Sequence, residues 1–290
     1  MDKGQAELRK FARQRGADLL GIASLDRFAE LKPEKHPCSI FPEAKSVIVL
    51  GRRITRGTLR GVEEGTHFQA YDLFGYNWLD NRFVALTTFE VVEFLEDNGW
   101  EAVPLPALPP QIPPLGVPVR KGQPAPNVLL DLQDAAVRAG LGEIGYCGVL
   151  LTPQFGPRQR LQIILTDAEL EPDPLFEGLL CDRCLECVKS CPLGAMSTEG
   201  EKAINICGRQ MVVASIDFNK CRNCRNGARP NAYHPAGEPD RLAALCLRSC
   251  LDHLERTAKL TTAFQQAFRK RPVWAVDETG RRVQVPEEEN

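Results

Sequence analysis

The sequence has no run of eighteen or more apolar residues, so no segment is long and apolar enough to cross a membrane as a helix. Its N-terminus (MDKGQAELRKFARQRGADLLG) has neither an apolar core of signal-peptide length nor a twin-arginine pattern ahead of one. The location expected on these grounds is the cytoplasm. Positive charge is not in surplus either. The formal net charge is −2 and the sequence pI about 6.2, which removes a generally basic surface as an argument for nucleic-acid binding. Histidine is scarce: His36, His67, His234 and His253 have no mutual spacing that suggests a metal site. No internal repeat is visible.

Cysteine, by contrast, is abundant. There are eleven in 290 residues. A chain that stays where thiols are reduced does not use them as disulfides, and clustered reduced cysteines usually hold metal. Cys38 and Cys147 stand alone and read as buried or idle thiols, whereas the other nine fall between Cys181 and Cys250.

The central motif is CDRCLECVKSCP: Cys181, Cys184, Cys187, Cys191 and Pro192 in C-x2-C-x2-C-x3-C-P spacing. This is the bacterial ferredoxin run, whose first three cysteines hold one 4Fe–4S cubane while the fourth reaches to another. Gaps of two residues let a tight loop bring three thiolates to one face of a cubane, with loop amides directed at the sulfurs. Zinc knuckles use paired C-x2-C units and fit this spacing poorly. A fourth cysteine that leaves its own cluster requires a second site. Cys221 and Cys224 form a C-x2-C pair, and Cys246 and Cys250 form a C-x3-C pair one helical turn apart. The crossover then assigns Cys181, Cys184, Cys187 and Cys250 to the first cluster, and Cys191, Cys221, Cys224 and Cys246 to the second. Cys207 is the spare, and its replacing Cys221 or Cys224 stays open. Leu251 stands where a second motif would have proline.

Around this array the pattern is mixed. Residues 5–15 have helical spacing with Gly16 as the stop; 18–23, 46–50, 100–103 and 161–166 read as strands; 76–98 and 128–139 read as helices ending at Gly99 and Gly140. Residues 104–126 hold nine prolines and read as an ordered covering loop. The expected organisation is an open α/β sheet domain over 1–170, an iron–sulfur domain over 171–258 and a loosely packed polar tail over 259–290.

Gly140, Gly142, Gly145, Gly148 and Gly156 mark a backbone that turns tightly or approaches a ligand. The pieces SVIVLGRRI, GWEAVPLP, AGLGEIG and LLTPQFGPRQR, followed by the cysteine run, span about residues 5–255. Together they resemble the reductive dehalogenase and epoxyqueuosine reductase superfamily. The resemblance implies a nitroreductase-like, corrinoid-binding α/β domain fused to a ferredoxin-like domain with two 4Fe–4S clusters. It implies cobalamin, held base-off near Gly140, Gly142, Gly145 and Gly148, with Arg158 and Arg160 on its phosphate or amide groups. Tyr76, and after it Tyr71, match the place of a proton-donating tyrosine ahead of the helix that leads to GWEAVP; a tyrosine that merely anchors the helix start is the other reading.

Two departures matter. Pro126 and Asn127 stand where epoxyqueuosine reductases carry a catalytic aspartate, and the tRNA-gripping helical repeats of those enzymes have no counterpart in this sequence. Epoxyqueuosine is therefore not the expected substrate, nor tRNA an expected partner. The expected function is an iron–sulfur oxidoreductase supplied by a donor such as ferredoxin or flavodoxin. It reduces a small substrate through a corrinoid or, in a cobalamin-free version, passes electrons to a redox partner protein.

Overall fold

A computed structural model describes residues 3–285. In chain order its elements are α1 (Lys3–Gln14), β1 (Leu19–Ser24), β2 (Ser46–Arg53), α2 (Arg60–Glu63), α3 (Ala85–Asp97), β3 (Ala102–Leu105) and α4 (Leu132–Arg138). There follow β4 (Glu143–Ile144), β5 (Leu150–Leu151), β6 (Gln159–Thr166), α5 (Glu186–Lys189), β7 (Met196–Ile206), β8 (Arg209–Ile216), α6 (Phe218–Arg222) and α7 (Leu245–Arg256). The chain forms two compact units, and neither is continuous in sequence. The first comprises the residues up to Arg53, Trp78–Leu141 and Arg160–Phe176; the second comprises Ile54–Asn77, Gly142–Gln159 and the chain from Glu177 onward. This division differs from the expected boundary at residue 170, because two segments of the N-terminal half are built into the cysteine-bearing unit.

The first unit is a four-stranded sheet in the order β1-β2-β6-β3, with β1 antiparallel to β2 and β3 antiparallel to β6. Val47, Ile48, Val49 and Leu50 of β2 are wholly inaccessible, as expected of a central strand covered on both faces. Each such side chain contributes on the order of 1.5–3 kcal/mol by leaving water. Pro104 lies in β3, an edge strand, where a missing N–H is tolerated. In α1, Leu8 and Ala12 are buried, and Phe11 stacks on Phe94 at 4.8 Å. Gly16 ends the helix at φ +95°.

Three local expectations change. The helix expected over 76–98 begins as two π-helical stretches, Tyr71–Asn77 and Leu79–Val84; only Ala85–Asp97 is α-helical, and Leu86 and Phe89 of the supposed apolar face are exposed. The helix expected from residue 128 starts at Leu132, because the Asp131 carboxylate accepts the amides of Gln133 (2.9 Å) and Asp134 (3.1 Å) and so fixes the N-cap there. The proline-rich segment is exposed throughout 113–123, so its middle covers no part of the core.

The second unit carries α2, the β4–β5 ladder, the long β7–β8 hairpin and helices α5, α6 and α7. Its core is pinned by charge. Arg248 on α7, 1% exposed, is ion-paired with Glu63 of α2, which also accepts Arg269 Nε at 2.8 Å. Burial opposes ionisation of Glu63, but Arg248 and Arg269 outweigh it and hold the carboxyl below its ordinary value. The expected loose tail is in fact packed as far as Val276. Phe268 is buried, the Trp274 indole donates to the Val62 carbonyl (2.9 Å), and Val276 exchanges two hydrogen bonds with the Asn226 side chain. Residues 286–290 of that expected tail lie outside the described residues.

Candidate metal centre

The second unit collects nine of its ten thiols into two groups, and the chain around each explains how. The first group grows from the loop Cys181–Cys187. Arg183 and Leu185 lie in the left-handed region at φ +58° and +65°, which L-residues adopt only when the surroundings hold them there. This geometry turns amides inward, so that Arg183 N–H bonds Cys181 and Glu186 N–H bonds Cys184. Tyr146 N–H donates to Cys181 Sγ at 3.2 Å. The loop entrance is held by Glu143, whose Oε1 accepts the amides of Leu180 (2.7 Å) and Cys181 (2.8 Å) while its other oxygen is paired with Arg209.

Cys187 opens onto Cys181, Cys184 and Cys246, and Cys250 of α7 faces Cys187 and Cys181. Burial pushes the Cys184 thiol up to about 11 and Cys187 higher still, with neighbouring thiols opposing ionisation further. A ninth thiol joins this group. Cys147, buried, hydrogen-bonds Cys250, and that shared bond pushes Cys147 down and Cys250 up. Of the two sequence readings, buried or idle, it is buried. Its only sequence signal was its place within the glycine-rich GYCG.

The second group is assembled from distant points. Cys191, Cys221, Cys224 and Cys246 line one small cavity together with Arg241. Cys221 lies in α6, whose N-cap Asp217 accepts the amides of Asn219 (2.9 Å) and Lys220 (3.3 Å). Cys246 lies in α7, one turn before Cys250. Ala195 N–H donates to Cys191 Sγ at 3.3 Å. The Asn226 amide, within 3.8 Å of Cys224 Sγ, ties that region to Val276. Burial and the adjoining thiols push Cys221 up to about 11 and Cys246 to about 12, against the pull of Arg241. Cys207 is elsewhere. It sits at φ +51° in the two-residue turn joining β7 to β8, a hairpin the cysteine pattern did not reveal.

The remaining candidate residues are placed as follows. Tyr71 is fully buried with its hydroxyl on Asp240; the Tyr76 hydroxyl accepts Ala232 N–H (2.7 Å) and donates to the Pro230 carbonyl (3.3 Å). Both tyrosines thus anchor the Tyr71–Asn77 stretch to residues 230–240. Arg158 is 2% exposed and donates to the Ile54 carbonyl (2.6 Å), and Arg160 lies half-buried in β6. The glycines are occupied by the chain itself. A Cβ on Gly140 would lie 2.1 Å from the Pro174 carbonyl oxygen, on Gly142 1.9 Å from that of Leu151, and on Gly145 2.7 Å from a Leu151 methyl. One on Gly148 would lie 3.0 Å from a methyl of Ile216.

No family model matches the chain. A 72-residue stretch, 24% of the chain, is 44% identical to a tetrachloroethene reductive dehalogenase of Desulfitobacterium hafniense, and a 79-residue stretch, 27% of the chain, is 39% identical to an epoxyqueuosine reductase of Listeria monocytogenes. Over these stretches the chain is similar to reductive dehalogenases and epoxyqueuosine reductases. The matched stretches span only 13% and 21% of those two relatives. In fold, 98% of the chain superposes on 41% of a reductive dehalogenase whose structure is described as suggesting a mechanism for B12-dependent dehalogenation (TM-score 0.56, 16% identity). The mixed α/β architecture therefore resembles the fold of that reductive dehalogenase. A further solved neighbour, an epoxyqueuosine reductase with an epoxyqueuosine-modified tRNA stem loop, matches 66% of the chain and is itself covered over 52% (TM-score 0.43, 19% identity).

Among superfamily cofactors, iron–sulfur clusters fit the donor set present. Two groups of buried and half-buried thiols receive N–H···S bonds, and the second encloses a cavity. A corrinoid does not fit the residues assigned to it. The spaces a Cβ would fill at Gly140, Gly142 and Gly145 belong to the chain's own backbone and side chains, and Arg158 is bonded inside the unit.

Proposed function

We propose that the chain is an iron–sulfur oxidoreductase carrying two 4Fe–4S clusters, one on Cys181, Cys184, Cys187 and Cys250, the other on Cys191, Cys221, Cys224 and Cys246. The observation that carries this reading is the crossing. Cys191 leaves the run it belongs to in sequence and lines a cavity with Cys221, Cys224 and Cys246, while Cys250 from the distant pair faces Cys181 and Cys187. Burial holds the protons on Cys184, Cys221 and Cys246, so these thiols must lose them to bind iron, and loading is linked to proton release. The clusters would accept single electrons from a donor of the ferredoxin or flavodoxin kind and pass them to a redox partner.

Likeness in fold to a protein described as B12-dependent supports a second reading, a corrinoid-dependent reductase whose corrinoid is held by residues other than the glycines named above.

Anaerobic purification with iron, sulfide, zinc and cobalt analysis tests both. About eight irons per chain, with broad absorbance near 400 nm, is expected of two cubanes. Zinc in place of iron overturns the proposal. Cobalt with extractable corrinoid selects the second reading.

A further inference from the structure

Arg241 is the one buried cation at the cavity of the second thiol group. It is 5% exposed and lines the cavity with Cys191, Cys221, Cys224 and Cys246. Nη2 donates to the Cys147 carbonyl at 3.1 Å, and the guanidinium carbon stands 5.5 Å from the centre of the Phe218 ring. Nη1 is buried and has no hydrogen-bond partner among the described residues. A buried guanidinium N–H left unmatched costs on the order of 1–3 kcal/mol or more, so a fold that places one there needs an acceptor that the protein itself does not supply. The cavity's sulfur-rich occupant would be that acceptor.

The charge also lacks a carboxylate in contact. The thiols of Cys246, Cys147 and Cys221 act on it, and after them the carboxylate of Glu238. Arg241 also reaches Cys147 at the first thiol group, but the basic side chains around the Cys181–Cys187 loop are matched to acids: Arg183 to Glu201, Arg209 to Glu143, His253 to Asp182 and Glu186, Lys259 to Asp182, Arg256 to Glu186 and Asp252. Reduction adds one negative charge to a cluster. Net charge and hydrogen bonds to sulfur are what set cluster potentials, and a unit charge acts more strongly where water is excluded.

We infer that Arg241 makes the cluster on Cys191, Cys221, Cys224 and Cys246 the higher-potential one of the pair, and so the electron's resting place within the chain. This rests on the two-cluster reading above. The step balances with one electron: the reduced first cluster is oxidised, the second is reduced, the electron having come from an external one-electron donor, and no proton or ligand moves. Arg241 is a positioning residue that acts through its charge and its Nη1 donor.

The test is an EPR-monitored redox titration of the anaerobically purified full chain, comparing wild type with R241Q and R241K. Cys224→Ala identifies which potential belongs to the second cluster. R241Q is expected to lower the equilibrium constant for electron passage to the second cluster by about tenfold, about 59 mV for one electron. The first potential should move less, and R241K should restore more than half of the gap. With iron still near eight per chain, equal shifts of both potentials, or none, overturn the inference, as does an R241K that loses the gap as fully as R241Q. If R241Q fails to load its second cluster, Glu238→Gln decides. Removing that acid should raise the second potential, and a fall or no change overturns the inference. A wild-type chain without about eight irons instead fails the two-cluster reading, before any potential is compared.

Discussion

The two thiol groups reach a similar end by different means. Three members of the first come from seven consecutive residues, and the loop's own amides, two left-handed residues and Glu143 shape it. Its surroundings are acids matched with cations at the rim of the unit. Burial works against Asp182, yet hydrogen bonds from His253 and Lys259 hold it down at about 2. The second group takes one cysteine from the run, one from α6, one from just after it and one from α7, around a buried arginine with no ion pair to an acid among the described residues. A short loop can therefore gather three thiols almost locally, whereas the second group forms only once α6, α7 and the run have packed.

The comparison breaks most visibly through iron content. Cys191→Ala should lose about half of the iron, and the lost centre should be the one beside Arg241 although Cys191 belongs to the first run. Cys250→Ala, made in a Cys147→Ala background so that the ninth thiol cannot substitute, should lose the other half. Loss of the same centre in both proteins would mean that the ligands do not cross. Cys147→Ala alone should keep its iron.

Next in size is the pin under α7, which carries one thiol of each group. Glu63→Gln leaves Arg248 buried with its charge uncompensated, and a loss of about 3–5 kcal/mol is expected from denaturant unfolding. The Glu63 carboxyl is held below its ordinary 4.5, so its contribution is present above that value and disappears as the pH falls through the lower folded value. An acid limb that is unchanged in Glu63→Gln would contradict this.

A smaller effect separates loaded from metal-free protein. Cys184, Cys221 and Cys246 titrate near 11, 11 and 12 in the metal-free fold, above the ordinary 9.0. Their contribution is present below pH 9 and is lost as the pH rises toward the folded values, since ionisation then favours the unfolded chain. The unfolding midpoint of metal-free protein should fall between pH 9 and 11 more steeply than that of the cluster-loaded chain; parallel curves would contradict the burial of these thiols. The smallest change is Cys207→Ala at the hairpin turn, expected to shift stability by less than about 0.5 kcal/mol and leave iron untouched. Iron loss in this variant would bring Cys207 back as a ligand.

Periodicity and composition carried much of the first unit. A continuous apolar run made β2, amphipathic spacing made α1, and Gly16 closed it, because each depends on neighbours a few residues apart. The same reasoning misplaced the start of α4, where Asp131 captures two amides, and overlooked the β7–β8 hairpin, most of whose β7 side chains are exposed and lack an apolar alternation. Within the site, the spacing of Cys181, Cys184 and Cys187 was legible, and so was the helical turn between Cys246 and Cys250. Nothing in the sequence marked Arg241, and Cys147 looked solitary because 103 positions separate it from Cys250, its hydrogen-bonding partner.

By itself, then, the sequence determined which residues can bind iron and the spacing that lets one loop present three thiols, because ligand chemistry and short loop geometry are local properties. Tertiary structure alone decided that residues 54–77 and 142–159 join the cysteine-bearing unit, that Gly140, Gly142 and Gly145 serve the chain's own close packing, and that a lone guanidinium faces the second cavity. Those outcomes depend on which distant surfaces exclude water from one another, and no window of neighbouring residues contains that information.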